Sequence, residues 1–315
     1  MFAPVKGVGW CVGTKQRKST NVFGSRSLGI FKDTVIDNVC PHRGALFSQG
    51  PGVDSEGFIQ CPYHGWKYNK KGNLVEVPSC TSSLPLWADI KSYETDSLYD
   101  FVWTTFDDTM TPLAPWIPEI DSNEWAHVSS DIELDGNWLR WVENSCDISH
   151  INFVHDFADE KNGKVHDMRI TEETPGHVTC EARVYPKAAS VYTQHMQVET
   201  SKIKLTFYYP NTTVIHIKLK GPYEFITYTT VTPIGANRTL MTWCFAYKSH
   251  MDNFIVRNHF FDQMIKTILE DEHIIKNIPI GFENKVNVPV DMLSQKVIKN
   301  IREMIKSDPK AVPLQ

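Results

Sequence analysis

Cys40-Pro41-His42-Arg43-Gly44 opens the stretch that decides how this chain is read; eighteen residues follow His42, and then comes Cys61-Pro62-Tyr63-His64-Gly65-Trp66. The result is two short pairs, Cys-x-His and Cys-x-x-His. Common zinc fingers put two Cys in one knuckle and two His in the other. Here each knuckle supplies one thiolate and one imidazole, which suits a [2Fe–2S] cluster with two Cys on one iron and two His on the other. Gly44 and Gly65 follow the histidines, where the backbone must bend tightly and turn N–H groups toward cluster sulfurs. A structural zinc ribbon is the competing reading. The turn-rich run Gly50-Pro51-Gly52-Val53-Asp54-Ser55-Glu56-Gly57 between the knuckles is a loop that absorbs extra length at little cost.

Around this stretch the chain has room for two domains, since it runs to 315 residues. Charged residues at 22% and hydrophobic residues at 41% are an ordinary globular mixture. A net charge of −5 gives no electrostatic reason to expect a nucleic-acid partner. Beyond the two knuckle cysteines, Cys11, Cys80, Cys146, Cys180 and Cys244 form no paired pattern, which fits reduced thiols in a cytoplasmic protein. The start, Met1-Phe2-Ala3-Pro4-Val5-Lys6-Gly7, reads as neither signal nor transit peptide, and no apolar run approaches the ~20 residues of a membrane span.

Residues 1–118 read as a compact antiparallel β domain, with short strands at Gly9–Gly13, Leu28–Phe31, Gly57–Gln60 and Tyr99–Thr104. The Pro-rich segment Met110–Pro118 is the expected linker. Residues 119–315 read as a second domain. It opens with a strand over 127–134, a turn at Asp135-Gly136, and a helix capped by Asn137 that runs toward His155. Strands are expected at 177–185, 191–198, 201–209, 212–219, 223–232 and 239–248, making a large antiparallel sheet, with helices over about 251–277 and 290–306. The fold class is α+β, with a large sheet gripping long helices in a helix-grip-like arrangement.

The second domain carries Asn144-x-x-Asp147-x-x-His150-x-x-x-x-His155. On a regular helix Asp147 and His150 share a face. His150 and His155 do not, because at ~100° per residue they diverge by roughly 140°. Both imidazoles reach one metal only if the helix ends, bends or bulges between them. Two satisfied core histidines are the plainer alternative.

Together these motifs resemble those of the Rieske non-haem iron oxygenases, over nearly the whole chain. The first matches that family's cluster wording, without the extra loop cysteines of respiratory-chain Rieske proteins. The resemblance implies Cys40, His42, Cys61 and His64 as cluster ligands, and His150 and His155 as ligands of a mononuclear Fe(II). It makes Asp147 the carboxylate bridging the two metal sites and Asn144 a polar neighbour of the iron. The third iron ligand in the family is a carboxylate on a long C-terminal helix; here Ile268-Leu269-Glu270-Asp271-Glu272-His273 offers Asp271, with Glu270 or Glu272 taking its place if the register shifts by one. Two His and one carboxylate form the facial triad that leaves positions open for O₂.

The implied activity is that of a terminal oxygenase that hydroxylates or oxidatively demethylates an aromatic or heterocyclic small molecule, a monooxygenase before a dioxygenase. No Gly-x-Gly-x-x-Gly occurs, so NAD(P)H electrons would come through a partner reductase, with or without a ferredoxin. The family's head-to-tail homotrimer, in which one subunit's cluster abuts the next subunit's iron, is the implied assembly. The chlorophyllide and pheophorbide oxygenase branch, acting on a tetrapyrrole, is an alternative. A non-catalytic Rieske electron carrier is a more distant one. Phe153, Phe157 and the strands over 201–232 are the candidate pocket positions.

Overall fold

The computed structural model describes residues 9–23, 26–81, 83–106, 114–156, 164–184, 201–219, 223–279 and 281–307. The chain divides into two compact units, Met1–Ala114 with Thr232–Ala236, and Pro115–Val231 with Asn237–Gln315. The expected strand at 191–198, residues 110–113 of the expected linker, and Phe157 lie outside the described residues.

The first unit is built from short strands: β1 (Trp10–Thr14), β2 (Ser19–Val22), β3 (Arg26–Phe31), β4 (Thr34–Asp37), β5 (Ile59–Gln60), β6 (Lys67–Tyr68), β7 (Leu74–Glu76), β8 (Ser92–Tyr93), β9 (Thr95–Leu98) and β10 (Phe101–Thr104). They form three small sheets in the orders β1-β10-β9, β2-β3-β4-β8 and β5-β6-β7. Each of the ten strands is short, so local hydrogen bonds outside the ladders matter. Asn38, buried just after β4, accepts from the Ser48 amide at 2.9 Å and donates from Nδ2 to Ser27 Oγ at 3.2 Å and Ser48 Oγ at 3.0 Å. That clamps both ends of the first Cys/His loop to β3. The Gly-rich run before β5 closes on itself, with Asp54 Oδ1 accepting from the Glu56 and Phe58 amides at 3.0 and 2.9 Å.

The second unit is organised by a seven-stranded sheet in the order β11-β17-β16-β15-β14-β13-β12. Its strands are β11 (Trp125–Asp135), β12 (His166–Glu173), β13 (His177–Val184), β14 (Ser201–Tyr208), β15 (Thr212–Lys218), β16 (Glu224–Gly235) and β17 (Arg238–Lys248). β14 shows why one face is core. Ser201, Ile203 and Leu205 are buried while Lys202 and Lys204 are exposed, the period-2 alternation of a half-buried strand. β12 has no counterpart among the sequence expectations. It is an edge strand whose Asp167, Arg169, Glu172 and Glu173 are all exposed, and its apolar alternation is limited to the half-buried Met168 and Ile170 before it gives way to exposed Thr171, Glu172 and Glu173.

Among the described residues four helices accompany the sheet: α1 (Trp138–Cys146), α2 (Ile151–Val154), α3 (Phe254–Ile275) and α4 (Met292–Ser307). Asn137 caps α1 as expected, its side chain accepting from the Leu139 amide at 3.0 Å. α1 buries Trp138, Trp141, Val142 and Cys146 and packs on α4, whose Leu293, Val297 and Ile301 are buried at helical spacing. α3 is capped by Asn253, which accepts from the Ile255 and Val256 amides at 3.0 and 3.1 Å. Its buried residues, Phe260, Met264, Ile268, Asp271 and Ile275, make one stripe at steps of four and three. Asp271 is the only carboxylate on that stripe. No helix among the described residues is long and apolar enough to cross a membrane.

The expectation of one helix running from Trp138 toward His155 is corrected. α1 stops at Cys146, and Asp147 is extended at φ −95°, ψ 112°. The Asp147 side chain competes for the backbone: its Oδ1 accepts from the Ser149 amide at 2.7 Å and from Ser149 Oγ at 2.6 Å. Such side-chain to backbone bonds replace the helical ones. A single helical turn, α2, then ends at His155, which is again extended at φ −100°, ψ 135°.

Candidate metal centres

The two Cys/His loops have the same construction. The Cys40 amide donates to Ala45 O at 2.9 Å and the Gly44 amide to Cys40 O at 2.9 Å. The Cys61 amide donates to Trp66 O at 2.8 Å and the Gly65 amide to Cys61 O at 3.2 Å. Each loop closes only because its glycine sits at positive φ, +76° for Gly44 and +72° for Gly65. Cys40 and Cys61 are 1% and 2% exposed, beneath the loop tips, whereas His64 is exposed and His42 half-buried. The two imidazole rings lie 4.6 Å apart at their centroids. Trp66 stacks on His42 at 4.5 Å and 9°, and Tyr63 lies 3.9 Å from His64.

These residues fit a cluster. Burial, with Cys61 opposite, pushes the Cys40 thiol up. His42 Nδ1 is buried with no hydrogen-bond partner. Two buried sulfurs below and two imidazoles at the rim are the donor set of a cluster with two thiolates on its inner iron and two histidines on its outer one.

In the second unit the helix break brings together what a continuous helix would separate. Ligand atoms of His150, His155 and Asp271 lie within 4.8 Å of one another. Both imidazoles face one oxygen: His150 Nε2 is 3.4 Å and His155 Nε2 3.5 Å from Asp271 Oδ1. Asn144, from the last turn of α1, places Nδ2 3.4 Å from His150 Nε2 and 3.3 Å from Asp271 Oδ1. Burial pushes the Asp271 carboxyl above its usual range despite the two imidazoles beside it. Burial also acts against the charged form of His150, yet Asp147 and Asp271 together raise it. A buried carboxylate and two convergent imidazoles suit a divalent cation, which would relieve both.

The outer faces of the ligands are also held. His155 donates from Nδ1 to Glu270 Oε2 at 2.9 Å. Asp147 Oδ2 lies 3.8 Å from His150 Nδ1. Burial works against an ionised Asp147, but His150 and Ser149 outweigh it and hold the carboxyl below its usual value. The three consecutive carboxylates of α3 therefore point three ways. Glu270 goes to the back of His155, Asp271 to the metal position, and Glu272 Oε1 accepts from the Asp135 amide at 2.7 Å. Sequence reasoning placed Glu270 only as a possible register error; its role follows from the rule that a metal-bound His donates its second N–H to a partner.

Beside the three ligands lies a cavity of about 380 Å³ between α1, α2, α3 and the inner face of the sheet. Ile203, Leu205, Ile215, Ile217, Phe225 and Thr229 line its sheet side, within the strands expected to supply the pocket. Phe153 does not line it. That side chain is 65% exposed and belongs to a separate surface groove with Phe261 and Leu269. The correction follows from geometry: on a one-turn helix flanked by His150 and His155, residue 153 faces away from the metal.

Residues 12–94 match the family described as the Rieske [2Fe-2S] domain, and residues 134–307 match the vanillate O-demethylase oxygenase C-terminal domain. The chain is 32% identical over 125 residues to methylxanthine N3-demethylase NdmB of Pseudomonas putida, an alignment covering 37% of this chain and 34% of that protein. It is 33% identical over 132 residues to aminopyrrolnitrin oxygenase PrnD of Pseudomonas fluorescens, covering 38% and 35%. The matched span is thus about a third of the length of these curated relatives. Among solved structures, dicamba monooxygenase bound to 3,6-dichlorosalicylic acid superposes with a TM-score of 0.82 at 15% identity, covering 96% of this chain and 97% of that one. NdmA of Pseudomonas putida CBB5 with caffeine gives 0.75 at 19%, covering 94% and 90%. At these identities the likeness shows the fold.

Proposed function

This chain belongs to the Rieske non-haem iron oxygenases, with a Rieske [2Fe–2S] cluster and a mononuclear iron as its cofactors, and on that premise we propose that it is a terminal oxygenase that hydroxylates or oxidatively demethylates an aromatic or heterocyclic small molecule. The observation that carries this is the convergence of His150, His155 and Asp271 on the wall of a mainly apolar cavity. In this reading Cys40, His42, Cys61 and His64 hold the cluster, and His150, His155 and Asp271 hold the iron. When bound, the cluster supplies single electrons and the iron a site for O₂. The chain's own residues do the rest. Glu270 fixes the ring of His155, and Asp147 lies behind His150. The Asn144 amide stands beside both His150 and Asp271, and the apolar sheet face keeps water from the reacting position.

A cavity of about 380 Å³ favours a substrate of one or two rings over a tetrapyrrole, being near the lower end of the ~300–1,000 Å³ range of ligand pockets. A reductase partner, with or without a ferredoxin, and a cytoplasmic setting complete the proposal. So does a head-to-tail homotrimer, supported by the exposure of His64 and of Tyr63, which leaves the cluster loop open to a docking neighbour. Aerobic assay with a generic reductase should show substrate-dependent O₂ uptake, and about three irons per chain should be found. Asp271→Ala should remove the third iron and oxygenation while cluster absorption survives. About two irons in the wild-type chain, or unchanged iron in the variant, would refute the assignment.

A further inference from the structure

The cavity beside the three metal ligands is lined by two side-chain amides whose buried NH2 donors have no hydrogen-bond partner among the described residues. Asn152 Nδ2, on α2 between His150 and His155, has no hydrogen-bond partner, and Asn152 is 3% exposed. Gln263 Nε2, on α3, is likewise buried without a partner. Both residues line the cavity. Buried amide donors are almost always paired, and an unpaired one costs free energy unless a ligand or water takes its hydrogen bond. A cavity that is otherwise apolar, with a few convergent polar groups, uses those groups to orient what it binds.

The placement of the amides has a simple geometry. His259, Gln263, Thr267 and Asp271 all line the cavity and follow one another at four-residue steps along α3. Residues at i and i+4 share a helix face, and each step advances about 6 Å. Gln263 therefore stands two steps, about 12 Å along the helix, from the metal ligand Asp271. Asn152 lies at the metal end, inside the segment bounded by the two ligand histidines. Between these donors run apolar walls from Ile203, Leu205, Ile215 and Phe225. Among the described residues no lysine or arginine lines the cavity, while Asp147 and Asp271 do.

We propose that the substrate is an uncharged, ring-sized, mainly apolar molecule with a neutral hydrogen-bond acceptor at each end, one received by Gln263 at the end remote from the metal and one by Asn152 beside the reacting position. This rests on the oxygenase reading for which end reacts. An acceptor such as a carbonyl at the far end satisfies the Gln263 amide and sets the distance of the reacting carbon from the ligands. An ether or amide oxygen at the near end does the same for Asn152. A carboxylate at the end remote from the metal would meet the neutral Gln263 amide and no described lysine or arginine.

The test is a binding comparison on the iron-loaded protein, without turnover. Three probes share a ring and a methoxy group and differ only at the far end: 4-methoxyacetophenone, 4-methoxytoluene and 4-methoxybenzoate. Dissociation constants are measured by calorimetry under anaerobic conditions, and iron content is determined on the same samples. The ketone should bind about fivefold or more tighter than the toluene analogue, the yield of one well-made hydrogen bond, and the benzoate more weakly than the ketone. Gln263→Met, close in size and shape, should bring the ketone to within about twofold of the toluene analogue. Gln263→Leu serves as a second variant, and the cluster absorption reports that each is folded. Tightest binding by the benzoate would overturn the inference. So would equal binding of ketone and toluene analogue by the wild type, a ketone preference that survives both substitutions, or no measurable ketone binding. A Gln263-dependent preference in a chain that holds no third iron would refute the oxygenase reading and leave this inference standing. Full iron with no preference would do the reverse.

Discussion

Glu270 gives the sharpest test of how the iron site is held. Its Oε2 sits 2.9 Å from His155 Nδ1 and its side chain is only 21% exposed, so the contact is a charge-assisted hydrogen bond with limited competition from water. Such a bond contributes about 1.5–3 kcal/mol. It fixes the tautomer that leaves Nε2 free to face Asp271, and it stops the ring from rotating away. Removing it in Glu270→Ala should weaken Fe(II) binding by about 10- to 100-fold, which corresponds to ~1.4–2.7 kcal/mol. Glu270→Gln keeps a neutral acceptor at the same place and should lose only a few-fold. Glu272→Ala, two residues on, breaks a bond to the Asp135 amide instead and should leave iron affinity unchanged. Anaerobic Fe(II) titration against a competing chelator measures all three, with cluster absorption as an internal check on folding. If Glu270→Ala binds iron within twofold of the wild type while His155 remains a ligand, the carboxylate is a surface group that does no positioning, and the reasoning fails.

Three further outcomes are expected. Replacing His42 or His64 by Cys should keep the cluster iron but pull its reduction potential down toward the roughly −400 mV of all-cysteine clusters, as read by spectroelectrochemistry; an unchanged potential would remove that histidine from the ligand set. Gly136→Ala should destabilise the second unit, because residue 136 has φ +111° and a Cβ there would lie 2.7 Å from Ile275 Cγ2 and 3.0 Å from Trp141 Nε1. We expect about 2 kcal/mol and a Tm lowered by roughly 4–8 °C, and a Tm within a degree of the wild type would show that the turn relaxes freely. Asp147→Asn should retain both metals yet fail to make product, the pre-reduced cluster remaining reduced when substrate and O₂ are added in a single turnover. Normal reoxidation with normal product yield would show that this carboxylate is no link between the two metal sites.

How much of this was legible depended on the distance over which a residue acts. The two cluster loops are local objects: a Cys, a His two or three residues on, and a glycine at positive φ close each one within six residues, so the sequence displays the whole device. The large sheet was legible wherever one face is buried, as in β14, and illegible at β12, where an edge strand half-buries only two apolar residues, Met168 and Ile170, and ends in exposed Thr171, Glu172 and Glu173. The third ligand was chosen over its neighbours by resemblance, although a physical signal was present. Phe260, Met264, Ile268 and Ile275 repeat at helical spacing, and Asp271 is the acidic residue that falls on their stripe. Glu270 was not legible as a partner of His155, because the pair is 115 residues apart in sequence and meets only when α3 lies against the α1–α2 segment. The unpaired amides of Asn152 and Gln263 were invisible for the same reason. Whether a polar group is satisfied is a property of the fold, not of the sequence.

The break between α1 and α2 shows local preference and function agreeing. Asn144, Asp147 and Ser149 are residue types whose side chains bond nearby backbone groups, and they weaken a helix in its interior. Asp147 uses one oxygen for this: Oδ1 takes both hydrogen bonds from Ser149, turns the chain, and so lets His150 and His155 face one point despite their five-residue spacing. Its other oxygen, Oδ2, is left toward His150 Nδ1. The turn requires only an acceptor, which asparagine also supplies at Oδ1. The charge beside His150 requires a carboxylate. Alanine at 147 would remove both and invite α1 to continue through the ligand segment, so any loss of activity could be blamed on a displaced histidine. Asparagine keeps the turn and removes the charge, and for that reason it isolates what the carboxylate itself contributes.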